Sequence, residues 1–311
     1  GMNSKGEISP LSRLVQPNIA IITNVSEAHI GHLNSLEDVA NEKASICAGM
    51  SSDGCIILPR DNDQYPILEK AAINANIKNI ISFGKHPKST IQFQSRCLEE
   101  IQGSPTQQVI SFKIARKNYN FKIGMRSEHW AINALSVFAV CHFLGLDINV
   151  ACDSLLFHTA LEGRGSETKL FFQDYSTCLI DDAYNASPSS MKAALEDFGS
   201  RLETNKVLIL TDMLELGQFS SEMHFSIVPD IILAHPSSVI LVGAAMKEIG
   251  ESLKPYTKVY MYSSVGEVKS AIHSIIAYSD LILIKGSHGS GAHLLVEHLK
   301  SIQNREIANV I

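Results

Sequence analysis

Five short apolar runs at 178–182, 206–211, 238–242, 258–262 and 281–285 recur through the second half of the chain, with helix-length stretches between them. Runs this continuously apolar suit strands buried on both faces, and a strand–helix–strand rhythm favours parallel pairing, because a parallel neighbour is reached only by a crossover. The spacing predicts a doubly wound parallel sheet. Ligands of such sheets bind outside the carboxyl ends of the strands, where the next helix offers free N–H groups to anions.

One of those ends is unusually polar. Residues 179–195 read LIDDAYNASPSSMKAAL: the apolar run stops at Asp181 and Asp182, Tyr184 and Asn185 follow, and Pro188 opens a helix. Ser187 or Ser189 serves as its N-cap. The residues alone fit both a capped strand-to-helix turn and a cluster of ligand-facing polar groups.

The first half is expected to be a further α/β domain. Residues 18–25 form a strand too continuously apolar for a half-exposed edge, and 54–58 and 79–83 supply two more. A helix starts near Ser35, a suitable N-cap, with Glu37 and Asp38 in the first turn where the helix dipole favours negative charge. Ragged alternation over 91–123 suggests an antiparallel flank. Residues 128–144 read as a helix, with Ile132, Leu135, Ala139 and Phe143 near one face. The boundary falls near 161–167, where Gly163 and Gly165 loosen the backbone, giving domains of 1–161 and 162–311.

Composition narrows the function classes. A chain of 311 residues, 45% hydrophobic and 19% charged, can bury two ordinary cores. A net charge of −6 argues against a nucleic-acid surface, which needs clustered Lys and Arg. The six cysteines show no C-x-x-C spacing and are expected to be buried small hydrophobes in a reducing compartment. No secretory signal precedes Leu11, and no apolar run approaches the ~18 residues of a membrane helix. A cytoplasmic location without membrane insertion is expected.

Five blocks, in order along the chain, resemble the Mur ligases: GMNSKGEI at 1–8, ITNVSEAHIGHLNSLEDVANEKASI at 22–46, DDAYNASP at 181–188, TDMLELG from 211 with His224 following, and LIKGSH at 283–288. EHWAINA at 128–134 and Gly163-Arg164 resemble the family's H-x-x-x-N-A and G-R elements. The similarity is greatest to the branch joining D-alanyl-D-alanine to UDP-N-acetylmuramoyl-tripeptide. The implied fold is a truncated Mur ligase central ATP-binding domain followed by a Rossmann-like doubly wound C-terminal domain.

The family holds ATP phosphates in a G-x-x-x-x-G-K-[ST] loop, whose amides cradle the anions while its lysine neutralises them. This sequence spells none: Gly84-Lys85 is followed by His86, and Asn79 stands five residues before Gly84. Read against the family, the chain is the downstream two-thirds of a ligase, expected to be inactive alone and to bind nucleotide weakly. Its first half is expected to expose apolar surface where the phosphate-loop strand and helix belong. Self-association through that face, or disorder near residues 1–20, would follow. The second half is expected to fold by itself.

The resemblance also implies roles. Lys43 would be carbamylated, turning an ammonium into an oxygen ligand for Mg2+, and His29 would join the metal site. Carbamylation needs a neutral amine, which burial favours. Asn133 would contact adenine, Arg164 the γ-phosphate and Asp182 the ribose, with His129 beside them and Arg164 also clamping the two domains around ATP. Tyr184, Asn185, Asp212, Glu215, Lys285 and Ser287 would form the acceptor end, together with His224. The D-N-P-R signature of the diamino-acid-adding relatives is absent, which favours a dipeptide acceptor.

Departures from the family pattern occur at Ser45 (usually glutamate), Trp130, Ala183 (serine), Ser187 (asparagine), Thr211 (glycine) and His288 (arginine). The implied reaction is phosphorylation of the tripeptide carboxylate by ATP and attack of the D-Ala-D-Ala amine on the acyl phosphate, with 161–167 as a hinge. The alternatives are another amide ligase of the superfamily, such as a folylpolyglutamate synthetase, and a truncated non-catalytic binding module.

Overall fold

The computed structural model describes residues 2–27, 30–99 and 107–308, the last without the side chains of 304–308. The chain divides into two compact units, Gly1–Thr159 and Ala160–Ile311.

The first unit is built on a six-stranded sheet in chain order: β1 (Ile19–Ile21), β2 (Cys55–Pro59), β3 (Asn79–Gly84), β4 (Ile91–Glu99), β5 (Gln107–Ile114) and β6 (Lys117–Ile123). The β1–β4 pairs are parallel and the β4–β6 pairs antiparallel. Sequence pattern tracks cover. In β2 every residue of CIILP is buried, whereas in β5 burial falls on alternate residues, Gln108, Ile110, Phe112 and Ile114. The buried face of β5 packs on the Glu128–Phe143 helix, with the Phe112 and Phe138 rings 4.3 Å apart. Gln108 is buried beside them, and its amide donates to the carbonyls of Met125 and Ser127. The helix expected from Ser35 spans Leu36–Ala44, and Ser35 Oγ accepts from Asp38 N at 3.1 Å.

The strand expected over 18–25 is corrected. It is only three residues long, lies at the edge of the described sheet and leaves Ile21 38% exposed. Its length follows from β2. Cys55 N donates to Asn18 O and Arg60 N to Phe83 O, so by alternation the odd-numbered amides of β2 face β1. Position 59 is proline and has no N–H to give, so the ladder ends after Ile22 N donates to Ile57 O.

The second unit holds β7 (Ser166–Phe171), β8 (Ser176–Asp182), β9 (Lys206–Thr211), β10 (Ser238–Val242), β11 (Lys258–Tyr262) and β12 (Leu281–Lys285), in spatial order β11-β10-β9-β12-β8-β7. All neighbours are parallel except β7 and β8. The last four strands keep the bounds read from the sequence. The extra strand, β7, is an edge strand of sequence SETKLF with only Leu170 buried, too polar to register as a strand core. Strand order reverses between β9 and β12, which opens a crevice beyond their carboxyl ends.

The expectation for the cysteines changes in part. Cys47, Cys55 and Cys152 are buried, but Cys141 and Cys178 are half-buried and Cys97 is exposed; all six are free thiols. Among the described residues no helix is long and apolar enough to cross a membrane.

Candidate functional site

In the second unit, Asp182 and Lys285 stand opposite each other in the β8–β12 ladder. Lys285 is 2% exposed, and its Nζ donates to Asp182 Oδ2 at 2.7 Å and to Asn185 O at 3.1 Å. A buried ammonium needs such a partner, so its charge is committed within the protein. Asp181 is buried and structural: Oδ2 accepts from Gly163 N at 2.9 Å and its carbonyl accepts from Gly165 N at 2.8 Å. Gly163 has φ +74, and a Cβ there would lie 3.0 Å from Tyr184 Cβ. Gly163 therefore permits close approach and Gly165, at φ +81, supplies a left-handed turn, while Ser166 and Glu167 already belong to β7.

Past Asp182 the chain turns outward. The Tyr184 ring is exposed, with the Arg164 guanidinium 4.2 Å above it and the His288 ring 6.3 Å away, edge-on. His288 in turn stacks on His293 at 4.0 Å. Asn185 Oδ1 accepts from Ala186 N at 2.9 Å. Ser187 is the N-cap of the Pro188–Gly199 helix and forms a capping box with Ser190.

The turn after β9 is tied down residue by residue. Asp212 Oδ1 accepts from Met246 N at 2.8 Å, so the carboxylate caps the Ala244–Glu248 helix. Gly243, at φ +110, leaves room for it, since a Cβ there would come 2.4 Å from Asp212 Cγ. Met213 N donates to His224 Nε2 at 3.0 Å, and His224 Nδ1 donates to Ser220 O at 2.7 Å, which fixes the tautomer of this fully buried ring. Leu214 N donates to Ser287 Oγ at 2.9 Å, and Ser287 N donates to Asp212 O at 3.3 Å. Glu215 follows, exposed and at φ +64. Thr211, the departure from glycine, bonds through its hydroxyl to Ser290 Oγ.

In the first unit Lys43 lies half-buried on the Leu36–Ala44 helix, and its Nζ donates to Asn24 O at 2.6 Å. Burial pushes its pKa below the usual 10.5. The expected partner His29 lies outside the described residues. Among the described residues, no three His, Cys, Asp or Glu side chains gather to hold a metal ion. Asn62 passed unnoticed in the sequence, yet its Nδ2 donates to Asn24 Oδ1 at 2.8 Å and to Val25 O at 2.7 Å, fixing the carbonyl turn that holds Lys43. Only its D-N-D turn context, directly after β2, could have signalled it. Glu42 is buried because Gly6 N and Ile8 N donate to it at 2.7 and 2.8 Å, capping the Ile8–Val15 helix.

At the start of the Glu128–Phe143 helix, His129 Nδ1 lies 3.1 Å from Ser127 Oγ and the His129 ring 5.0 Å from that of Trp130. Asn133, half-buried one turn on, accepts from Ser136 Oγ through its carbonyl. Beyond the ends of β2 and β3 an open cleft of about 660 Å³ lies between the Arg60–Asp63 turn and Lys85–His86. Asp61 shapes it by accepting from the amides of Lys85 and His86, each at 2.7 Å, and Gly84, at φ +139, leaves no room there for a Cβ.

Comparison with known proteins identifies both halves of the chain. Residues 1–141 match the Mur ligase middle domain, and residues 171–288 match the Mur ligase glutamate ligase domain. The UDP-N-acetylmuramoyl-tripeptide–D-alanyl-D-alanine ligase of Rickettsia prowazekii is 35% identical over 298 residues, 96% of this chain and 64% of the relative. The Bacillus subtilis ligase of the same name is 32% identical over 312 residues, 96% of this chain and 63% of the relative. The chain thus spans somewhat less than two thirds of the relatives it matches. The fold of MurF from Acinetobacter baumannii superimposes with a TM-score of 0.82 at 23% identity, covering 96% of this chain and 63% of that one. MurF from Thermotoga maritima, solved in complex with ADP, gives 0.76 at 18% identity, covering 99% and 66%. Through its two matched domains, the chain belongs to the Mur ligase family.

Proposed function

We propose that this chain supplies the lysine and the amine-acceptor end of an ATP- and Mg2+-dependent ligase that joins D-alanyl-D-alanine to UDP-N-acetylmuramoyl-tripeptide in peptidoglycan synthesis. Lys43 carries the reading: it is a half-buried amine held by a backbone carbonyl, with its pKa lowered by burial. An ammonium cannot ligate magnesium, but a neutral amine can take up CO2, and the resulting carbamate offers the oxygens that a hard cation requires. Lys43 therefore fits the metal in its carbamylated form, with His29 as the proposed companion.

The nucleotide fits in part. The Asn133 amide suits a base edge, with His129 nearby, the Asp182 carboxylate suits ribose hydroxyls, and the Arg164 guanidinium suits a phosphate. The phosphates do not fit, because the 311 residues spell no G-x-x-x-x-G-K-[ST] cradle. Ligation is accordingly assigned to a longer protein that also contains that loop. ATP would supply the phosphoryl group that activates the tripeptide carboxylate. The residues of this chain would position the amine. Tyr184, Asn185, Glu215 and Ser287 border the crevice, and the neutralised Asp182–Lys285 pair keeps its wall rigid without a net charge.

The test is ADP release with UDP-N-acetylmuramoyl-tripeptide, measured with and without D-Ala-D-Ala. The 311-residue chain should show none above a no-enzyme control. Joined to the amino-terminal portion of the Rickettsia prowazekii ligase, it should release ADP only with the dipeptide, and Lys43→Ala should abolish that release. Turnover by the isolated chain overturns the assignment to a longer protein, and a fusion that prefers lysine or diaminopimelate overturns the acceptor.

A further inference from the structure

The Glu128–Phe143 helix begins without the device that its sequence offers. Ser127 occupies the N-cap position, yet its side chain accepts no hydrogen bond from the helix backbone; its Oγ lies 3.1 Å from Nδ1 of His129 instead. A capping serine normally fixes a helix start, so here the start is fixed by other groups. The buried face of β5 is apolar at Ile110, Phe112 and Ile114 but carries the fully buried Gln108 as its fourth member. A buried amide is costly unless its polar atoms are paired, and these are. Nε2 donates to Met125 O and, at 3.1 Å, to Ser127 O, while Oε1 accepts from Arg96 Nη1 at 3.1 Å. Arg96 is a diagonal neighbour of Gln108 in the β4–β5 ladder, and the same Nη1 also donates to Arg126 O at 3.1 Å. Three consecutive carbonyls, 125 to 127, are thus held from two strands. Glu128, the first residue of the helix, is drawn the same way, by ion pairs to Lys85 after β3 and to Arg96.

We infer that Gln108 and Arg96 are positioning residues for the nucleotide: by fixing the helix start from the sheet they release Ser127 from capping, and its hydroxyl orients the His129 ring beside the base. His129 and Asn133 are four residues apart and share a helix face, so a base that meets the Asn133 amide also meets this ring. The inference rests on the proposed function, because it requires a base at this helix. A ring and an amide set in advance lose little freedom on binding, which sharpens the choice between bases.

Titration of the isotope-labelled 311-residue chain with adenosine and with guanosine, followed by NMR and paired with thermal unfolding, tests this. The wild-type chain should prefer adenosine by about fivefold, the margin of one hydrogen bond. Ser127→Ala should weaken adenosine binding about threefold yet leave the melting midpoint within about 1 °C, where loss of a working cap would lower it by about 2–4 °C. Ser127→Thr, which keeps the hydroxyl, should bind as the wild type does. Gln108→Leu and Arg96→Met should each reduce the preference to less than about twofold and speed amide hydrogen exchange over 128–133. Arg96→Lys, which keeps the charge but not the fork, should fall between. A purely structural lock predicts faster exchange with an unchanged preference, and that result overturns the inference while the proposed base contact stands. A Ser127→Ala chain that loses stability but not adenosine also overturns it. A wild-type chain with no preference for adenosine removes the base contact from the proposed function, and the inference falls with it.

Discussion

Lys285 ends a parallel strand of the second unit and Lys43, on a helix of the first, reaches the Asn24 carbonyl beyond the end of β1, but their surroundings differ in kind. Lys285 is almost fully buried and meets a carboxylate at 2.7 Å, whereas Lys43 is half-buried and donates to a backbone carbonyl at 2.6 Å. A carboxylate keeps an ammonium charged and immobile. A carbonyl satisfies one hydrogen of the amine without compensating its charge, so burial can push the pKa down. The first arrangement builds a wall, and the second leaves an amine whose charged form is disfavoured by burial.

The contrast breaks most visibly if the wall lysine proves dispensable. Asp182→Ala leaves a buried ammonium without its partner and should cost the second unit about 3 kcal/mol in chemical denaturation. A loss below about 1 kcal/mol would mean that the charge finds water, and the wall reading fails. Next in size, Gly84→Ala and Gly243→Ala should each cost about 2 kcal/mol, since each drives a methyl group into an aspartate and strains a positive φ. Similar losses in the two units would show one device used twice, and a marked inequality would sharpen the difference between them.

Lys43→Met should change stability by less than about 1 kcal/mol, because no buried carboxylate is orphaned. Acetic anhydride at limiting dose should label Lys43 at least about tenfold faster than Lys285, as read by peptide mass spectrometry. Equal labelling removes the chemical distinction. The smallest effect is one of pH. With its folded pKa lowered, Lys43 gives up its proton in the folded chain before it does in the unfolded one. The unfolded state therefore binds more protons between that lowered pKa and 10.5, and stability rises with pH across this window. Comparing the wild-type chain with Lys43→Met isolates the slope, which should be shallower in the variant.

Much of the second sheet was legible because β9, β10 and β12 are flanked on both sides and read as unbroken apolar runs. The edges were not. β7 has one buried apolar residue and looks like a loop, and β1 has an interior composition in an edge position because the proline of a neighbouring strand decides its length. Among the site residues, resemblance to the family marked Asp212 and Lys285 as polar groups beside the crevice. It could not reveal that Asp212 caps a helix formed after β10 or that Lys285 is already paired, since both partners are distant along the chain. Asn62 was missed for the same reason: its contacts to Asn24 and Val25 cross from one strand end to another.

The matched aspartate–glycine clamps, Asp61 with Gly84 and Asp212 with Gly243, bear on how natural variation in such proteins should be read. Because the carboxylate occupies the space a methyl group would need, the two positions of each pair answer to a single steric constraint. In a growth-based mutational scan they should be intolerant together, with the glycine becoming more permissive once the aspartate is shortened. Joint intolerance of this kind would identify them as joints of the scaffold.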